Sequence, residues 1–248
     1  MAETAVDTRS LEAFHQTLHH LVEPAELGRI RGEVEERSRR LRALLTPSSI
    51  AGMTEQGLVQ LLRSVNATRR HARALVDRTG AEGLRQALAQ AVSPGGEPGQ
   101  RLEEFVATVG HPRALGRPAA IELGSECLRH AGPEAAWSWP RWLWDADTGR
   151  GALGLLLSDG HCLDGLQVAE MYGRIGAALE AIREAGSACG LWVEGGSAAE
   201  VETFLAGVYV VYLGTVVRLK TTKEFASQVL PEVPVLLRRL LGTYRMEV

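Results

Sequence analysis

Lysine is almost missing from this chain: Lys220 and Lys223 are the only two, and the rest of the strongly basic complement is arginine. Lysine and arginine together number 27 against 30 acidic residues, so the net charge is −3 and the pI about 6.2. Proteins that grip nucleic acid by releasing counterions carry a surplus of positive charge, at least locally. No global surplus exists here, so a nucleic-acid function would have to rest on a patch. Cysteine is scarce too. Cys127, Cys162 and Cys189 are far apart and odd in number, in a chain of 248 residues that is large enough to do without covalent staples. A reducing compartment is expected. Residues 1–7 hold neither a basic nor an apolar segment, so no secretory leader is expected. A membrane span needs roughly 18 or more uninterrupted apolar residues. The longest apolar stretch, near 204–219, is broken by Gly207, Gly214, Thr215 and Arg218. The expectation is a cytoplasmic protein without a membrane partner.

Catalytic signatures are also lacking. No glycine-rich loop has the spacing of a phosphate-binding or dinucleotide-binding turn. Gly124-Ser125-Glu126 lacks the strand-turn-helix Gly-x-Ser-x-Gly frame of a nucleophile elbow. Asp145-Ala146-Asp147 opens like a calcium loop, but Arg150 stands where the loop needs glycine and Leu156 where it needs a bidentate glutamate. A solvated Asx turn explains it better. His15 and His19 lie one helical turn apart with His20 adjacent, and Cys127 and His130 are three apart with His161-Cys162 downstream. Neither set has the two spaced ligand pairs of a zinc site. No catalytic residue, metal or cofactor is therefore assigned, and an enzyme is the less favoured class.

What the chain does have is helical periodicity. Hydrophobic residues make up 45% and charged residues 23%, the composition of a folded chain. Apolar side chains recur every three or four residues, and proline, glycine and capping residues punctuate them. The spacing predicts an all-α multi-helix bundle of roughly nine helices, near 11–22, 25–45, 54–79, 81–92, 101–109, 118–130, 164–186, 199–229 and 233–242. At most a minor β element is expected near 152–157. The segment 199–229 is rich in β-branched residues. Val201, Leu205, Val208, Tyr212, Val216 and Leu219 nevertheless keep a helical step over five turns. Residues 93–99 hold five prolines and glycines in seven positions, which marks a linker between an N-terminal helical region, 1–92, and a C-terminal helical domain, 100–248, with packing of the two as one unit as the alternative.

Two features are candidates for recognition. Trp137, Trp139, Trp142 and Trp144 fall within eight residues, interleaved with Arg141 and followed by Asp145. Indoles around an arginine suit a flat ligand or a partner surface, with Trp137, Arg141, Trp144 and Asp145 as its residues. The alternative is that the cluster packs into the core around Pro140. At helical spacing Trp139 and Trp142 would be the buried pair, leaving Trp137 or Trp144 partly exposed. The second feature is a set of arginines, Arg63, Arg69, Arg70 and Arg73, expected on the polar side of helix 54–79, where they would bind phosphates. Pairing with the acidic residues of helix 25–45 is the other reading. The expectation that follows is a non-enzymatic helical accessory or scaffold protein acting through protein–protein contacts, self-association included, with the charged N-terminal helices over 11–45 as the docking or dimer element. The competing expectation is nucleic-acid binding through the arginine patch and the tryptophan segment.

Overall fold

The computed structural model describes residues 5–131, 136–158, 163, 167–220 and 231–244. It is 71% helical, with eleven α-helices and no strand or sheet among the described residues. The helices are α1 (Thr8–Leu21), α2 (Pro24–Leu44), α3 (Pro47–Ala51), α4 (Glu55–Ser64), α5 (Ala72–Thr79) and α6 (Ala81–Val92), then α7 (Pro98–Val109), α8 (Arg117–Ala131), α9 (Val168–Ala188), α10 (Ala198–Lys220) and α11 (Val233–Leu240). The chain divides into two compact units. The first comprises Met1–Glu36, Trp142–Cys162 and Ala178–Val248, and the second Arg37–Arg141 and Leu163–Ala177. The division falls inside α2 and α9. The stretch 93–99, expected as a boundary, lies within the second unit, where it joins α6 to α7.

In the first unit, Asp7 starts α1 by accepting the Arg9 and Ser10 amides, which would otherwise lack intrahelical partners. α1 lies against α10. His15 meets Phe204, and Leu18 reaches Gly207, where a Cβ would collide with the leucine methyls. Three residues along each helix separate those two contacts, so the helices run parallel and in step. Glu200 ties the turn before α10 by accepting the amides of Val193, Glu194 and Gly196, and Arg31 lies 2.7 Å from the same carboxylate. Arg238 of α11 forks onto Glu33 and Glu26 of α2.

The second unit is built on α6, α7 and α8, with α3, α4 and α5 beside them. Gly124 lets α8 approach α7 closely, since a Cβ there would meet Leu102 and Phe105. Leu58, Leu61, Leu62, Leu84, Leu88, Leu102 and Leu123 fill the core of this unit.

Two stretches of helix differ from the sequence expectation. The single helix expected over 54–79 is interrupted. Val65 leaves the helix in an extended conformation, and a 3₁₀ turn at Arg69–His71 precedes α5. The cause is hydroxyl competition for helix carbonyls: Thr68 Oγ1 donates to Leu62 O at 2.6 Å and Ser64 Oγ to Leu61 O at 2.6 Å. Thr46-Pro47, expected only to end a helix, also starts α3, because Thr46 Oγ1 accepts the Ser49 amide and Pro47 suits a first helical turn. The element near 152–157 is a 3₁₀ turn at Leu153–Leu155 with one isolated bridge, Val6 to Leu157. Residues 199–219 are helix, as their spacing predicts, while 221–229 lie outside the described residues. By length and composition Ala198–Val217 would suffice to cross a membrane, and half of it is buried inside the structure.

Candidate functional site

The densest chemistry lies in the second unit, along one face of α8. Glu122, Glu126 and His130 follow one another at four-residue steps, so they stack on a single side of the helix. Each is buried or nearly so. The Arg37 guanidinium donates from Nη1 to Glu126 Oε2 at 3.1 Å and from Nη2 to Ser64 O at 3.0 Å. His130 Nε2 lies 3.0 Å from the same Glu126 oxygen, and its Nδ1 lies 3.1 Å from Ser38 Oγ. With the proton on Nε2, His130 donates to Glu126 and accepts from Ser38, which satisfies both ring nitrogens.

Glu122 has different partners. Its Oε1 accepts the Ala67 amide at 3.1 Å, in the break between α4 and α5, and its Oε2 takes the Arg141 amide at 3.5 Å. Ser125 Oγ accepts the Trp139 amide at 2.8 Å and donates to Glu122 O. Tyr172 of α9 donates to Trp137 O at 2.7 Å. The irregular segment 136–141, which makes no helical ladder of its own, is thus held by side chains from α8 and α9. Buried backbone polar groups demand such partners.

The two carboxyls titrate in opposite directions. Burial pushes Glu122 up to about 7, with the Glu126 charge adding to it and the two amides opposing. Burial also disfavours the Glu126 carboxylate, but the Arg37 charge and the His130 hydrogen bond outweigh it and hold this group down at about 2. Burial raises the Cys127 thiol and the Tyr172 phenol, so neither is poised as a nucleophile. The cluster is therefore a proton-binding carboxyl pair with one arginine and one histidine.

The tryptophan segment is placed otherwise than its spacing suggests. Trp137 is 4% exposed, Trp139 2% and Trp144 2%, while Trp142 is half-buried and donates from Nε1 to Leu240 O at 3.2 Å. Trp137 and Trp144, expected nearer the surface, are core residues, and Trp142 is the more accessible ring. Helical spacing misassigns them because residues 136–144 are not a helix. Arg141 is exposed, and Asp145 is half-buried in a turn where its Oδ1 accepts the Asp147 amide, as an Asx turn requires. Trp137 and Arg141 belong to the second unit and Trp144 and Asp145 to the first.

The arginines do not share one helix. Arg63 ends α4, Arg69 and Arg70 sit in the 3₁₀ turn, and Arg73 is in α5. Arg69 donates from Nε to Arg63 O at 3.0 Å, and burial, then the Arg37 charge, lowers its pKa. Arg73 is paired with Glu55 and with Asp77. Arg63 and Arg70 are exposed. The His15 and His19 rings lie 4.4 Å apart at a tilt of 49°, and among the described residues no three histidine, cysteine or acidic side chains gather as a metal site. His161 and Cys162 lie outside the described residues.

The α8 cluster was missed by sequence reasoning, although its four-residue spacing of Glu122, Glu126 and His130 was visible. The chain matches no family pattern, no curated protein and no solved structure against which it was compared.

Proposed function

We propose that this chain is a helical accessory or scaffold protein acting through protein–protein contacts, with the C-terminal half of α10 as the contact face and a second copy of the chain as its occupant. The observation that carries the reading is the change in burial along α10. From Ala199 to Val208 its side chains are almost all buried, whereas Val211, Leu213 and Val216 are half-exposed and Tyr212 is 37% exposed. A helix that is apolar all round is ordinarily covered all round, and exposed apolar surface marks an interaction face. α1 ends at Leu21, itself 43% exposed, and the in-step packing of the two helices sets Leu21 level with residues 210–211 of α10. From Thr203 to Val217 the sequence has no charged residue. A chain of net charge −3 can therefore bring this face against its own copy without pairing like charges there.

Nucleic-acid binding has weaker support. Its arginines are divided between two helices and a turn, and Arg73 already faces two carboxylates.

Sedimentation velocity of the full chain over a wide concentration range tests the proposal. The expected result is a reversible dimer that Tyr212→Lys dissociates without changing the circular dichroism or the melting temperature. A monomer at every concentration would overturn it. So would co-flotation of the full chain with phosphatidylcholine–phosphatidylserine vesicles abolished by Tyr212→Lys, which would give the face to lipid.

A further inference from the structure

Two glutamates one turn apart on α8 are buried together, and one cation, Arg37, is hydrogen-bonded to only one of them. Among the described residues, the Glu122 carboxylate has no side-chain cation at hydrogen-bond distance. Its oxygens face two backbone amides that belong to separate segments, Ala67 in the break after α4 and Arg141 within the tryptophan segment. We propose that Glu122 is a proton-operated latch, whose carboxylate clamps these two segments of the second unit together and whose protonation releases one of them.

The geometry decides which one. A carboxylate can accept at both oxygens, but a protonated carboxyl turns one oxygen into a donor. An N–H facing that oxygen loses its acceptor. The Ala67 contact is 3.1 Å and the Arg141 contact 3.5 Å, so the proton settles on Oε2 and Arg141 is the amide released. The proton comes from and returns to solvent.

Burial sets the poise of the latch first, and the surrounding charges adjust it. α2 presents Arg37 and the Ser38 hydroxyl, and α8 presents Glu126, His130 and Arg129, the last over the Trp137 ring. The turn after α4 brings Arg69, whose charge faces Arg37. α9 presents the Tyr172 phenol, and the guanidinium of Arg101 on α7 is bound to Ala91 O and Ser93 O. On α6, Glu82 and Arg85 pair with each other. Glu126 is the anion that most opposes ionisation of Glu122, and Arg37 is the cation that offsets it. Burial, with the Glu126 charge added to it and the two amides and Arg37 opposing, places the transition near neutrality, so the latch works in the range where a cell's pH varies.

Nuclear magnetic resonance of the full chain provides the test. The amide shifts of Ala67 and Arg141 should titrate together with a midpoint near 7, and one glutamate carboxyl carbon in the carboxyl-¹³C-labelled wild-type chain should share that midpoint. Hydrogen exchange at Arg141, corrected for intrinsic rates, should quicken on the acid side while Ala67 stays protected. Glu122→Gln should abolish the transition, and His130→Gln should leave it in place. Flat amide shifts across neutrality would overturn the proposal, as would a midpoint that survives Glu122→Gln or one that disappears with His130→Gln. Should Glu122→Gln fail to fold, the labelled carbon of the wild-type chain still decides: no glutamate carbon titrating near neutrality refutes the latch.

Discussion

Arg37 and Glu126 meet at 3.1 Å with only 11% and 12% of their side chains open to water. Removing one partner of such a pair strands the other charge in the interior, which costs about 3–5 kcal/mol, whereas replacing both by apolar groups of similar size can cost little. Arg37→Met and Glu126→Leu should each lower the stability measured by urea denaturation by that amount. The double variant should lose less than either single one. A simple sum of the two single losses would show that the charges do not interact.

The pH dependence of stability should carry the mark of both glutamates. Glu126 has a folded-state pKa of about 2, below that of the unfolded chain, so its contribution is present above about 4.5 and disappears as the pH falls through 2. Glu122 has a folded-state pKa of about 7, above its unfolded value, so its contribution is complete below about 4.5 and is lost as the pH rises through 7. Between those limits the unfolded chain holds fewer protons at this position, and Glu122 alone should make stability decline with rising pH by about 3 kcal/mol. Urea melts at a series of pH values should show this decline in the wild-type chain. Glu122→Gln should flatten it, and a profile unchanged by that substitution would be inconsistent with the assignment.

The indoles should separate into two classes under acrylamide quenching. Single Trp→Phe variants should show that Trp142 and Trp192, both half-buried, account for most of the quenchable emission. Trp137, Trp139 and Trp144 should stay protected. Trp139→Ala should cost roughly 3–5 kcal/mol, as large aromatic truncations in cores do. Strong quenching of Trp144 would contradict its burial.

How much of this was legible in the sequence follows from the range of the interactions. The course of α10 was readable because Val201, Leu205, Val208, Tyr212 and Val216 repeat within a single element. The break at Val65 was not, because it depends on the Thr68 hydroxyl capturing the carbonyl of Leu62, a choice that composition leaves open. The tryptophans misled for a related reason: period-based burial presumes a helix, and residues 136–144 are shaped by Ser125, Tyr172 and the Leu240 carbonyl instead. In the α8 cluster, the spacing of Glu122, Glu126 and His130 was plain. Its meaning was not, because Arg37 lies 89 residues away from Glu126 and no local pattern joins the two.

Two glycines of α9 should respond oppositely to the same substitution. In a helix interior, Gly→Ala ordinarily stabilises by about 0.5–1 kcal/mol, because alanine has less backbone freedom to lose. Gly173 has nothing within 4 Å of where its Cβ would stand, so Gly173→Ala should show that gain. At Gly186 the added Cβ would lie inside the Trp192 indole. That ring cannot simply step aside. Its Nε1 donates to Arg183 O at 2.7 Å, its edge meets Phe204 at 5.5 Å, and Gly196 closes its other side with a φ of +77°. Overpacking of this kind costs about 1–3 kcal/mol, which exceeds the propensity gain. Gly186→Ala should therefore lower the urea midpoint and make Trp192 more open to quenching, while Gly173→Ala should raise the midpoint and leave Trp192 unchanged. A stabilising Gly186→Ala would mean that Trp192 does not rest on α9.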